Sequence, residues 1–231
     1  MPNQKLNQQF RGILLLSTAT ITVGMAVGMA TFAGSADAAI RRYTAPVSDS
    51  KWTSQATTRL QCALSHKIPR YGEVIFSSVA SKQLNLEFEM DMLRLPANYS
   101  LASVKSIAPS WKPGVPTKSI ANMELKKQFN SDMPEKAAWT MLTELEQGFI
   151  PTFYYADWHS PFDKIAVGLS SINFTDAYVE FLACVDNLLP YSFDDIAYTI
   201  LNFNLNSDEL SKASQKRLSR IGEYMKQDQD I

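Results

Sequence analysis

"QLNLEFEMDM", residues 83 to 92, alternates apolar and polar side chains without a break. Leu84, Leu86, Phe88, Met90 and Met92 fall on one face, and Asn85, Glu87, Glu89 and Asp91 on the other. A period of two is that of a strand with one buried and one solvated face. The segments around it read the same way. "EVIFSSV" (73 to 79), "SLASVKSI" (100 to 107), "ANMELKKQF" (121 to 129), "TFYYADW" (152 to 158) and "KIAVGLSSINF" (164 to 174) are short and rich in β-branched or aromatic residues. Pro, Gly, Asn and Asp turns separate them, and such spacing predicts a small barrel or sandwich.

Two helices interrupt the strands. "MPEKAAWTMLTELEQG" (133 to 148) has Pro134 where a helix start tolerates it, an apolar stripe of Ala138, Met141, Leu142 and Leu145, and Gly148 as a stop. "TDAYVEFLACVDNLL" (175 to 189) places Tyr178, Phe181, Leu182, Val185 and Leu188 on a stripe with Cys184 at its edge, and Pro190 ends it. The fold class is therefore α+β.

Composition bounds the rest. The 231 residues are 45% apolar and 19% charged, enough for a substantial core. A net charge of −1 and a pI near 6.1 lack the basic excess that nucleic acid or an anionic membrane selects, so no nucleic-acid partner is expected. No cofactor or metal motif is present.

Residues 1–38 read as an export signal. Lys5 and Arg11 form a positive n-region, residues 12 to 33 are uncharged and largely apolar, and Ala36-Asp37-Ala38 supplies the small-x-small cleavage site. The apolar run is also long enough to span a bilayer uncleaved, with Gly24 and Gly28 at GxxxG spacing. In either case residues 39 onward leave the cytoplasm. An exported chain with two cysteines, Cys62 and Cys184, most simply forms one disulfide. The alternative is a reactive thiol with His66 four residues on, supported by spacing alone.

Beyond Pro190 the organisation changes. "AYTILNFNLNSDELSKASQKRLSRIGEYMK" gives a strand over about 197 to 203, a polar turn and a helix from about Ser211 with Leu218, Ile221 and Met225 on one face. This β-α opening resembles the start of an OmpA-like peptidoglycan-binding domain, and "QDQDI" (227 to 231) reads as the approach to a second strand. A lone strand and helix cannot cover the Leu218, Ile221 and Met225 face, so residues 190–231 are expected to be mobile or docked on the first domain.

The upstream residues carry a second resemblance. "CALSHKIPRYGEVIFSSVASKQLNLEFEM" (62 to 90), "SWKPG" (110 to 114) and "NLLPYSFDDIAYTIL" (187 to 201) resemble the MotY family, periplasmic proteins of sodium-driven polar flagellar motors. The resemblance runs from about Trp52 to the end. It implies a non-enzymatic protein of two parts in the periplasm of a Gram-negative bacterium. Residues 39–189 would be the β-rich domain that joins the T ring around the flagellar basal body and binds MotX. Residues 190–231 would be the truncated start of the OmpA-like domain, and together the two would recruit stator units. OmpA-like domains hold the stem peptide with an Asp of a Thr-Asp step and an Arg of a later helix, a charge-assisted pair. No peptidoglycan-binding residue is assigned in this chain.

Remaining clusters have plainer readings. Asp157, His159, Ser160 and Asp163 of "DWHSPFD" suggest a metal or triad site but read as a solvated loop. A periplasmic hydrolase built on His159 or Cys62 would need a third partner that the sequence does not supply. Trp111, Trp139 and Trp158 are read as core or subdomain contacts, and "ELKKQF" as a strand with a solvated Lys126-Lys127 turn. The candidate partner-facing loop is "HKIPRYG", with Pro69, Arg70 and Tyr71; the competing reading is a turn that packs on its own domain. A general envelope-tethering protein is the alternative to the motor component.

Overall fold

The structure, a computed structural model, describes residues 40–56, 58–93, 100–125, 133–157 and 162–228. The export-signal reading, the Lys126-Lys127 turn, Trp158, His159 and Ser160 lie outside the described residues. Among the described residues two antiparallel-rich sheets and four helices form a sandwich-like fold, and the sheets do not close into a barrel.

The four-stranded sheet runs β2 (Trp52–Ala56), β3 (Gln61–Ile68), β4 (Gly72–Val79) and β5 (Glu87–Met92) in sequence order, antiparallel throughout. In β5 the alternation is realised, with Phe88, Met90 and Met92 buried. Leu86 is also buried, just ahead of the strand, but Leu84 is 61% exposed. The reason is local. Asn85 folds back on Val79, accepting from its N–H at 2.9 Å and donating to its carbonyl at 2.9 Å, so the chain is still turning at Leu84.

The five-stranded sheet has the order β1 (Ile40–Thr44), β9 (Lys164–Gly168), β8 (Ile150–Ala156), β6 (Ser100–Ile107) and β7 (Lys118–Leu125). Among its described pairings β1–β9 is parallel and the others are antiparallel. Phe88 of one sheet stacks on Phe153 of the other with centroids 5.4 Å apart, and Phe76 tilts against Phe88 at 5.0 Å. These rings tie the inner faces into one core with Val104, Met123, Leu125, Ile165 and Val167.

Helix α1 (Glu135–Glu146) buries Ala138, Met141, Leu142 and Leu145, the predicted stripe. Its end is a Schellman turn: Gly148 takes φ +82°, and Phe149 N–H donates to Glu144 O at 2.8 Å. Helix α2 (Phe174–Asp186) packs on β2 and β3 and buries Phe174, Tyr178, Phe181 and Cys184. Cys184 is bonded to Cys62 of β3, Cα atoms 6.0 Å apart, which stapled pairing is the one expected from the two cysteines.

The segment after Pro190 departs from expectation. Residues 197 to 203 form no strand. Asp194–Ala197 is a short helix, α3, and Phe203 makes one isolated bridge to Leu210. The β propensity of Ile200 and Phe203 meets no neighbouring strand among the described residues, and a strand is stable only when paired. Helix α4 (Lys212–Gln227) does form, capped by Ser211, whose Oγ accepts from Ser214 N–H at 3.3 Å. Its contact face shares only Ile221 with the predicted Leu218, Ile221 and Met225 stripe. Ile221 and Tyr224 pack inward, while Leu218 and Met225 stay about half exposed.

Candidate interaction surface

The predicted loop splits into an exposed tip and a buried anchor. Pro69 and Arg70 are exposed at the β3–β4 turn, with Arg70 in the left-handed region at φ +66°. Tyr71, read from sequence as facing a partner, is 3% exposed and belongs to the core. Its hydroxyl meets that of Tyr155 at 2.9 Å and lies 3.1 Å from Met90 Sδ. Burial holds both hydroxyls well above the ordinary tyrosine range, helped at Tyr71 by the neighbouring Tyr155 phenol and opposed at Tyr155 by the hydrogen bond with Tyr71, so they act as neutral hydrogen-bonding groups. Sequence alone cannot separate Tyr71 from Arg70; the signal is the Gly that follows.

Gly72 sits at φ +153°, and a Cβ there would lie 1.9 Å from Asp91 O. The backbone of β5 therefore closes against this turn. Gly72→Ala should lower the unfolding free energy by roughly 2 kcal/mol or more, measured by urea titration, because no flexible side chain can yield at a backbone oxygen.

No acid–base or metal constellation forms among the described residues. No group of three His, Cys, Asp or Glu side chains converges there. Of "DWHSPFD", Asp157 and Asp163 are described: Asp157 N–H donates to Asp163 O at 2.9 Å, and the buried Asp157 carboxylate pairs with Arg41 at 3.4 Å. Cys62 is half of the disulfide, which removes the reactive-thiol reading and with it a Cys62-based hydrolase. Trp111 is 60% exposed rather than in the core, and Trp139 is half-buried with its indole N–H on Glu135 at 3.3 Å.

Two features escaped sequence reasoning. Trp52, from the exposed-looking "SKWTS", is the hub between α2 and the four-stranded sheet. Its ring stacks on His66 at 4.5 Å, meets Phe174 edge-on at 4.9 Å, and its indole N–H donates to Ser170 O at 2.8 Å. His66 is fully buried, with Nδ1 2.9 Å from Lys51 O and Nε2 without a partner. Desolvation depresses its pKa below the ordinary 6.5, against the weaker opposing pull of that carbonyl and of Glu73.

A pH dependence follows. Between 6.5 and the lower folded value the unfolded chain binds the proton that the folded one refuses, so stability rises with pH through this window and is lost as pH falls through it. Urea midpoints should drop between about pH 7.5 and about pH 5. His66→Phe, which retains the stack on Trp52, should flatten that part of the drop; an unchanged slope would show that other groups set it.

Of the features singled out from sequence, the described surface keeps the exposed tip at Pro69 and Arg70. The family profile described as MotY N-terminal domain matches residues 43–190. The sodium-type flagellar protein MotY of Vibrio parahaemolyticus is 44% identical over 191 residues, 83% of this chain and 65% of that relative's length. No helix among the described residues is long and apolar enough to cross a membrane. With the match covering both cysteines, α1, α2 and both sheets except the first residues of β1, this chain belongs to the family of MotY N-terminal domains.

Proposed function

We propose that this chain is a non-enzymatic structural component of a sodium-driven flagellar motor, working in the periplasm after export by residues 1–38. Residues 39–189 act as the ring-forming domain that meets MotX and the basal body and supports stator assembly. Residues 190–231 open a domain whose remainder, in longer relatives, would hold peptidoglycan. The observation that carries this reading is the family match over residues 43–190, joined by 44% identity to a flagellar relative. A non-catalytic role is in keeping with the site chemistry: among the described residues no group of three His, Cys, Asp or Glu side chains gathers at one position.

The test is a pair of pull-downs with the mature chain, one on MotX and one on purified sacculi, beside a full-length relative. Binding to MotX without retention on sacculi is the expected result. Failure to bind MotX by a folded protein overturns the partner assignment. Retention on sacculi at the level of the full-length control would favour the general envelope tether.

A further inference from the structure

We propose that residues 190–228 are held on the sandwich by an ionic clasp that opens with salt, so that the placement of helix α4 is a variable and not a fixed part of the fold. The inference stands apart from the motor assignment and uses none of it.

The apolar contact between segment and sandwich is small. Ala80, Leu189, Tyr191 and Ile196 form a cluster of their own, separate from the main core, with Leu60, Ile221 and Tyr224 partly buried against it. Segment cations also lie near it, Arg220 over the Tyr191 ring and Lys226 on the same helix as Glu223, but the two ion pairs that cross from segment to sandwich divide by side. The sandwich supplies both cations, Arg59 just ahead of β3 and Lys82 just after β4, and the segment supplies both carboxylates, Glu223 and Asp195.

Each carboxylate is fully engaged. Glu223 Oε1 accepts from Arg59 Nη1 at 2.7 Å and Oε2 from the Tyr191 hydroxyl at 2.8 Å. Asp195 pairs with Lys82 through one oxygen and accepts from Ser192 N–H at 2.9 Å through the other. Arg59 also donates to Asn187 O at 3.0 Å, and its own N–H reaches Gln227 Oε1 at 3.2 Å. One side chain thereby fastens the end of α2 and the end of α4 together.

This clasp lies open to solvent. Arg59 and Glu223 side chains are 45% and 44% exposed, so counterions reach both. Screening shortens from about 10 Å at 0.1 M ionic strength to about 3 Å at 1 M. Salt acts in the opposite sense on apolar contacts, leaving them unchanged or strengthening them. The sign of the salt response therefore distinguishes a clasp held by charge from one held by Leu60, Ile221 and Tyr224. The base does not move with it, because Cys62 and Cys184 fix β3 to α2 on the sandwich side.

The experiment is hydrogen exchange on the mature chain at about 0.1 M and about 1 M NaCl, with β4 amides as the internal reference. A released 16-residue helix is marginal in water, so opening exposes its amides. Protection over residues 218 to 226 should fall about tenfold in high salt while β4 holds. Arg59→Glu should give the same loss at low salt, and adding Glu223→Arg should restore it. Protection in α4 that is unchanged or raised by salt overturns the proposal. So does an equal loss in β4, a silent Arg59→Glu, or a charge swap that fails to restore protection.

Discussion

Replacing Cys62 and Cys184 together by alanine should lower the unfolding free energy by about 5 kcal/mol, the entropy of closing so long a loop in the unfolded chain. The bridge joins positions 122 residues apart in sequence, from the second strand of one sheet to the helix that covers it. Between its ends lie β4 to β9 and α1, so reduction frees nearly the whole domain to expand when unfolded. A loss of that size is comparable to the full stability of many domains. The mature protein should shift in urea midpoint on reduction as much as the double alanine variant does. Serine at the same sites should do worse than alanine, because Cys62 is fully buried and a hydroxyl there has to find a partner. A shift below about 1 kcal/mol would show that the reduced, unfolded chain is already compact and that loop closure is not what the bridge supplies.

How much of this was legible beforehand follows from the range of the interactions involved. Strand β5 and helices α1 and α2 are announced by their own periodicity, since the face that packs is written within a dozen residues. Strand β1 is not: "IRRYT" is exposed and charged, and becomes a strand because β9, more than a hundred residues later, offers an edge in parallel register. The reverse error occurs at residues 197 to 203, where strand propensity finds no partner among the described residues and collapses to one bridge. Leu84 fails by a single turn, because the Asn85 side chain competes for the backbone of Val79.

The candidate surface was legible to the same degree. Arg70 belongs to the exposed tip, as read, but Tyr71 turns inward to a phenol 84 positions away. No local pattern encodes a hydrogen bond at that separation. The clasp was hidden for a similar reason: Arg59, Lys82, Asp195 and Glu223 are ordinary surface charges in sequence, and only the docking of α4 sets them opposite one another. The periodicity of α4 pointed to Leu218, Ile221 and Met225, whereas its contact with the small cluster runs through Ile221 and Tyr224, rotated round the helix so that Leu218 and Met225 stay about half exposed.

Trp52→Ala should be about as damaging as loss of the disulfide, costing about 3 to 5 kcal/mol, the range for deleting a large buried aromatic. The ring lies at 5% exposure on an edge strand, and it fills the gap between Phe174 of α2 and Phe76 of β4. Removing it leaves three aromatic neighbours facing a void, and those neighbours are held by strand register and by the disulfide, so they cannot close it. Trp52→Phe separates packing from polarity. Phenylalanine keeps much of the stack on His66 but drops the indole N–H, leaving Ser170 O without that donor, a cost of about 1 to 3 kcal/mol. The two substitutions also bear on His66. Without the indole over it, a cavity next to the unpartnered Nε2 admits water, which solvates the imidazolium and raises the depressed pKa towards 6.5. Trp52→Ala should therefore lose stability at neutral pH and, in the same titration, show a shallower fall towards acid than the parent protein. A variant as stable as Trp52→Phe would show that the site collapses around alanine, and an unchanged acid slope would show that Nε2 stays dry without the indole.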